Sequence, residues 1–209
     1  MRELGFLVAD SNMAHSLHGL FGRDGWHLSV GCAAVEVGRE DVHTAAGQCD
    51  PGLFVRAGEL LRPFSARYRR MVVMVDAEWE GSPGAEAIRL RLRKHLEAAG
   101  WKEGTGLGLV LDPEVDAWLW TRTDHTARAL GWSDWSTLEP ALVEGGLWSA
   151  EQPKPPRPKE AAEWALRKSR KPRSSMIYEQ VAGAVSLQRC GDPALAALRD
   201  ALRRWFPRP

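Results

Sequence analysis

Three acidic side chains follow an apolar run at every second position, at Asp76, Glu78 and Glu80 of the segment RRMVVMVDAEWEGSPG. The five apolar residues before them, Met71 to Val75, are typical of a strand that is covered on both faces. In an extended chain alternate residues lie on one side, so the three carboxylates are expected close together. Either solvation or a divalent cation between the carboxylates can offset their repulsion. The pattern is therefore consistent with a solvated acidic loop or with a Mg²⁺ or Mn²⁺ site.

Acidic residues also follow two other predicted strands. Asp10 follows LGFLVA, and Glu114 and Asp116 follow LGLVL in the segment LDPEVDAW. Ligands of parallel α/β sheets gather at the carboxyl ends of the strands, so these acids are expected at one edge. The predicted catalytic residues are Asp10, Asp76, Glu78 and Glu114, and the predicted metal ligands are Asp10, Asp76, Glu78, Glu80 and Asp116. Two bound metals could activate a water and stabilise the leaving oxygen of a phosphodiester.

Helix capping is the alternative explanation for these acids. Asp10 could cap the helix that follows it, and acids after Pro113 could lie in the first turn of a helix, where they favour its dipole. His15 and His18 stand three residues apart on the first predicted helix, and we expect them to be solvated side chains.

Basic residues dominate the segment 151–173. It carries eight lysines and arginines against three glutamates, and it begins with the proline-rich stretch EQPKPPRPK. Such side chains can contact phosphates, although charged helix faces are often only solvated. The predicted phosphate- or nucleic-acid-binding residues are Lys159, Arg170, Lys171 and Arg173.

The order of predicted elements is strand–helix–strand–helix–strand–helix–strand over residues 1–120. The strands are expected at 4–9, 28–37, 69–75 and 107–111. This alternation predicts an α/β fold with a mostly parallel, Rossmann-like sheet flanked by helices. Residues 121–209 read as a helical, tryptophan-rich and basic appendage that packs on this core.

Composition bears on the partners and on the cellular compartment of the protein. The 28 basic and 27 acidic residues nearly cancel, so the whole-chain charge does not indicate a nucleic-acid partner. Cys32, Cys49 and Cys190 form no CxxC pair, which favours a reducing compartment and buried thiols. Residues 1–30 contain no signal-peptide pattern, and no apolar run approaches about 20 residues. We therefore expect a cytoplasmic protein that does not bind or span a membrane. No Walker loop, GxGxxG, GxSxG or HExxH motif occurs.

An acid after the first strand and DxExEG after a later one resemble the TOPRIM arrangement of topoisomerases, primases and related nucleases. The segment PEVDAWLW is similar to PExExW of small TOPRIM-like proteins of the DUF4276 type. The chain resembles more closely a small accessory protein of bacterial methylation-associated anti-phage defence systems. The residues that carry this resemblance are VADSNM, CDPG, VDAEWEGSPG, LDPEVDAWLW, PKPPRPKEA, RKPRSSMIYEQVA and LRRWFP.

The resemblance implies a TOPRIM-like fold, a role in anti-phage defence and metal-dependent action on DNA or RNA. Asp10 matches the family's glutamate, and Asp76 and Glu78 match its DxD. Both Asp10 and Glu78 differ in length from the family's residues, and Mg²⁺ tolerates little change in geometry. Two alternatives stay open: a non-catalytic subunit that binds other subunits of the defence system through a tryptophan-rich face, and a response-regulator-like domain with Asp76 as phosphoacceptor.

Overall fold

The computed structural model describes residues 1–45, 47–102, 104–149, 151–186 and 191–208. Four strands form in this part of the chain: β1 (Arg2–Val8), β2 (Val42–Thr44), β3 (Tyr68–Asp76) and β4 (Gly106–Leu111). The α-helices that it contains are α1 (Ser11–Phe21), α2 (Trp26–Val30), α3 (Asp50–Leu61), α4 (Ala85–Ala98), α5 (Asp124–Ala129), α6 (Trp135–Glu144), α7 (Pro158–Ser169), α8 (Met176–Ala184) and α9 (Pro193–Trp205). Short 3-10 helices lie at Arg39–Asp41, Arg62–Phe64 and Val115–Leu119.

The four strands form one parallel sheet in the order β2-β1-β3-β4. The chain runs from β1 to β2 on one side and then returns past β1 to add β3 and β4 on the other. The strand order therefore reverses between β1 and β3, and such a reversal opens a crevice at the carboxyl ends of the two strands. This architecture confirms the predicted α/β class with a parallel, Rossmann-like sheet.

Strand β3 forms the centre of the core because its apolar run is covered on both faces. Each residue from Met71 to Val75 is fully buried. Helices α3 and α4 pack against each other, and α1 packs against α8. The C-terminal helices contact the first part of the chain directly: α8 on α1, α9 on β4, and α7 on the 3-10 helix Val115–Leu119.

The second strand does not lie where its sequence pattern predicted it. Residues 28–37 form no strand: α2 ends at Val30, and Gly31 follows with a φ of 87°. Leu28 is 60% exposed although Val30 and Cys32 are buried, so the run is not buried throughout as a central strand would be. The actual strand, Val42–Thr44, is short and half-buried, and its sequence VHT carries no apolar run.

The cysteines and tryptophans differ in part from expectation. Cys32 is buried as predicted, Cys49 is exposed, and Cys190 lies outside the described residues. Five of the ten tryptophans are buried and the other five pack half-buried against the same core, so none is exposed. A tryptophan-rich face for a partner would therefore have to use half-buried rings, and it stays a prediction.

Among the residues that the structure describes, no helix combines the length and the apolar character that a bilayer crossing requires.

Candidate functional site

Each of the four strands is followed by an acid near its carboxyl end. Asp10 follows β1, Asp50 opens the helix after β2, Asp76 is the last residue of β3, and Glu114 follows β4. Because the strands are parallel, all four acids reach one edge of the sheet, beside the crevice between β1 and β3. We call Asp10, Asp50, Asp76 and Glu114 the acidic centre.

Asp76 lies deepest in the acidic centre. Its residue is 9% exposed, and its Oδ1 accepts a hydrogen bond of 2.8 Å from the backbone N–H of Val115. Burial, followed by the negative charges of Asp50 and Asp10, raises the pKa of Asp76 to about 9. A carboxyl group in this environment holds its proton at neutral pH unless a cation compensates its charge.

Asp50 is the member of the acidic centre that sequence reasoning missed. Its Oδ1 accepts a hydrogen bond of 2.6 Å from the backbone N–H of Asp76, which ties the start of α3 to the end of β3. Burial raises the pKa of Asp50 even though this hydrogen bond favours the charged form. The CDPG segment carries the signal for Asp50, because an acid followed by proline is typical of a helix start. The strand before it was expected at 28–37, well before CDPG, so Asp50 was not linked to the end of a strand.

Asp10 caps α1, as one of the two interpretations of the sequence proposed. Its Oδ1 accepts a hydrogen bond of 2.9 Å from the N–H of Met13. The cap does not remove Asp10 from the acidic centre, since its negative charge contributes to the raised pKa of Asp50 and of Asp76, after burial in both cases. Asp10 therefore combines a structural hydrogen bond with a place at the crevice.

Glu114 and Asp116 lie on either side of Val115, and other elements hold both. Glu114 Oε1 accepts a hydrogen bond of 3.0 Å from the Lys159 N–H at the start of α7. Asp116 is 3% exposed and accepts hydrogen bonds from the Tyr178 hydroxyl at 2.7 Å and from Arg173 at 3.2 Å. Burial raises the pKa of both acids. Asp116 is thus held by its hydrogen bond to Tyr178 on α8, whereas Glu114 faces the acidic centre.

Glu78 and Glu80 lie beyond the end of β3, whereas Asp76 is its last residue. Strand β3 ends at Asp76, and a turn follows in which the Ser82 N–H donates to the Trp79 carbonyl at 3.0 Å. Both glutamates are exposed. The expectation of a strand through all three acids is therefore wrong, because β3 ends at Asp76. Glu78 still lies near the acidic centre, since its charge adds to the rise in the pKa of Glu114 that burial and Asp116 cause.

The basic residues of the segment 151–173 fall in two places: Lys159 lies apart, whereas Arg167, Arg170, Lys171 and Arg173 line one cavity. Lys159 lies at the acidic centre, where burial raises the pKa of Asp50 and Glu114 and the charge of Lys159 offsets part of that rise. Arg170 and Lys171 lie at the other end of α7, roughly 17 Å away along a helix axis. Arg173 forms ion pairs with Asp116 and with Glu163.

The donor atoms of the acidic centre suit a hard cation. They are carboxylate oxygens, and within the described residues the only hydrogen bond that Asp76 accepts on its side chain goes to Oδ1. No three of the acids in the described ranges bring oxygens within 4.8 Å of one another. Mg²⁺ commonly binds through one or two carboxylates and keeps several waters, so the chemistry of the residues fits such an ion without a closed cage.

Comparison with protein-family models, with curated proteins and with solved structures gives no match.

Proposed function

We propose that the acidic centre binds Mg²⁺ or Mn²⁺ and that the protein uses it for phosphoryl transfer or hydrolysis on nucleic acid. The observation that carries the proposal is Asp76, a buried carboxyl group at the strand-order reversal with three other acids around it and a pKa raised to about 9 by burial and by Asp50 and Asp10. An arrangement that unfavourable for charge needs a proton or a cation, and sites with strongly perturbed carboxyl groups in a crevice are often functional.

Each residue of the acidic centre would have its own role in binding the cation. Asp76 and Asp50 would hold the cation, with Asp10 and Glu114 binding its waters. A bound divalent cation supplies a more acidic water and stabilisation of the leaving oxygen. Lys159, exposed at the start of α7 beside Glu114, would neutralise one phosphate of the substrate.

The proposed setting is anti-phage defence, as an accessory protein of a methylation-associated system, with other subunits of that system as partners. Its support is the sequence resemblance to small TOPRIM-like proteins of the DUF4276 type. Asp10 just after β1 and Asp76 at the end of β3 agree in position with that resemblance. The exposed position of Glu78 departs from the family's DxD, and Asp50 provides a half-buried carboxylate at the edge instead. We place the protein in the cytoplasm as part of the same proposal.

Titration calorimetry with MnCl₂ tests the metal site directly. The unmodified protein is expected to bind Mn²⁺, and Asp76→Asn and Asp50→Asn are expected to weaken binding about 10- to 100-fold. Asp112→Asn is the matched control, because Asp112 is an exposed acid next to the same edge. Equal heats from the unmodified protein and from Asp76→Asn would refute the site.

A further inference from the structure

A second group of ligand-type side chains lies away from the acidic centre, between α1 and α8. One ring nitrogen of His15, one of His18 and one carboxylate oxygen of Glu179 all lie within 4.8 Å of one another. Within the described parts of the chain, no other three histidine, cysteine, aspartate or glutamate residues bring ligand atoms so close together. The two histidines are three residues apart and so neighbours on α1, and Glu179 faces them from α8.

The backbone holds these three residues together. A Cβ atom on Gly19 would overlap the carbonyl group of Glu179, so the close approach of α1 and α8 requires glycine at that position. The ends of the two helices are tied as well, because the Ser175 hydroxyl donates to Asn12 at 2.9 Å and lies 2.8 Å from the Ser11 hydroxyl. The cluster therefore sits on two packed helices, and helices position ligands more accurately than loops do.

A positively charged side chain already contacts two of the three residues. Arg39 forms an ion pair with Glu179 Oε1 and lies 3.1 Å from His18 Nδ1, while His15 Nδ1 lies 2.6 Å from Glu179 Oε2. The Arg39 side chain is 62% exposed, so it can leave for solvent with little loss of packing. His18 Nε2 is buried and has no hydrogen-bond partner, which leaves the ring incompletely satisfied in this arrangement.

We propose that His15, His18 and Glu179 form a binding site for a first-row transition-metal dication such as Zn²⁺, and that Arg39 occupies the cation position until the metal binds. Two imidazoles and one carboxylate are a known set for three-ligand zinc sites that keep a fourth position open. Imidazole nitrogen selects Zn²⁺, Cu²⁺ or Ni²⁺ over Mg²⁺, which separates this site chemically from the acidic centre. A cavity of about 460 Å³ lined by His18, Arg39 and Glu179 gives the metal access.

The test is titration of the full chain with ZnCl₂ in excess MgCl₂, which keeps the acidic centre filled, measured by calorimetry and, with CoCl₂, by the absorption spectrum. Every protein carries Cys49→Ser and Cys190→Ser, so that the thiols of these two residues do not bind the metal. We expect one Zn²⁺ per chain, and a loss of affinity of about 100-fold or more in His15→Ala, His18→Ala and Glu179→Gln. Glu179→Gln keeps the size of the side chain and one acceptor oxygen while it removes the charge, so it separates loss of a ligand from loss of folding.

Three controls separate the site from its alternatives. His125→Ala removes an exposed histidine and is expected to leave affinity unchanged. Asp76→Asn is expected to leave it unchanged too, which keeps this test independent of the acidic centre. Arg39→Ala is expected to bind Zn²⁺ several-fold more tightly, because it removes a competing cation. The proposal is overturned if the parent binds no Zn²⁺, if Glu179→Gln binds as the parent does, or if Arg39→Ala weakens binding as much as His18→Ala.

Discussion

The side chain of Asp50 accepts a hydrogen bond from the backbone N–H of Asp76, at 2.6 Å. The contact joins the first residue of α3 to the last residue of β3, two positions 26 residues apart in sequence. It brings two carboxyl groups together at the point where the strand order reverses. Burial raises the pKa of both groups, and each is further raised by a neighbouring acid. We interpret this pair as the core of the acidic centre.

The first prediction concerns stability without metal. The pKa of Asp76 in the folded protein, about 9, lies above its ordinary value of 3.8. Folding therefore favours the protonated form, and the stability of the native protein should fall as pH rises from about 4 towards 9. Asp76→Asn cannot ionise, so at pH 8 in EDTA we expect it to be more stable by a few kcal/mol, with a Tm higher by about 5–10 °C.

Thermal denaturation across this pH range measures the effect. Asp112→Asn, which removes an exposed acid, should follow the unmodified protein at every pH. Parallel pH profiles for Asp76→Asn and the unmodified protein would mean that Asp76 is already charged in the folded state.

The second prediction concerns protons released on metal binding. Asp76 holds a proton at pH 7 because its pKa is near 9. A divalent cation must displace that proton, so Mn²⁺ binding should release close to one proton per metal. Calorimetric titrations in buffers of different ionisation enthalpy measure the number. Glu80 is an exposed acid in the turn after β3, so the Glu80→Gln variant should release the same number of protons as the unmodified protein. The Asp76→Asn variant should release almost none.

The third prediction tests how Asp116 is held. Its buried carboxylate accepts hydrogen bonds from Tyr178 and Arg173. Tyr178→Phe removes one donor while keeping the ring, so we expect a loss of about 1–3 kcal/mol in the free energy of unfolding. In the double variant with Asp116→Asn most of that loss should disappear, because the two residues interact directly. Additive effects in urea denaturation would show that the hydrogen bond contributes little.

The fourth prediction concerns nucleic acid. Lys159 lies at the acidic centre, where burial raises the pKa of Asp50 and Glu114 and its charge partly counters that rise. Lys159→Gln should weaken binding to single-stranded DNA and reduce the slope of log K against log salt by about 0.7. Lys94→Gln, an exposed lysine on α4, is the matched control. Equal salt slopes for the two variants would remove Lys159 from the binding surface.

Sequence reasoning located three of the four strands because each contains an apolar run long enough to recognise. It missed β2, whose residues Val42–Thr44 are half-buried and of mixed polarity. That error hid Asp50, since an acid at a helix start gains meaning only when the strand before it is known. Glu78 and Glu80 were predicted as site residues because acids at alternate positions are typical of an extended chain. The strand ends before them, and the turn at Trp79–Ser82 that follows leaves no mark in that alternation.

The central claim is that the acidic centre supports metal-dependent chemistry on nucleic acid, and a cleavage assay tests it most directly. Plasmid and single-stranded DNA and RNA are incubated with the protein in Mg²⁺, in Mn²⁺ or in EDTA. We expect cleavage by the unmodified protein and by Glu80→Gln in the presence of metal, none in EDTA, and a loss of at least about 100-fold in Asp76→Asn and Asp50→Asn. Absence of cleavage by the unmodified protein in both metals, or cleavage that persists unchanged in Asp76→Asn, would contradict the claim.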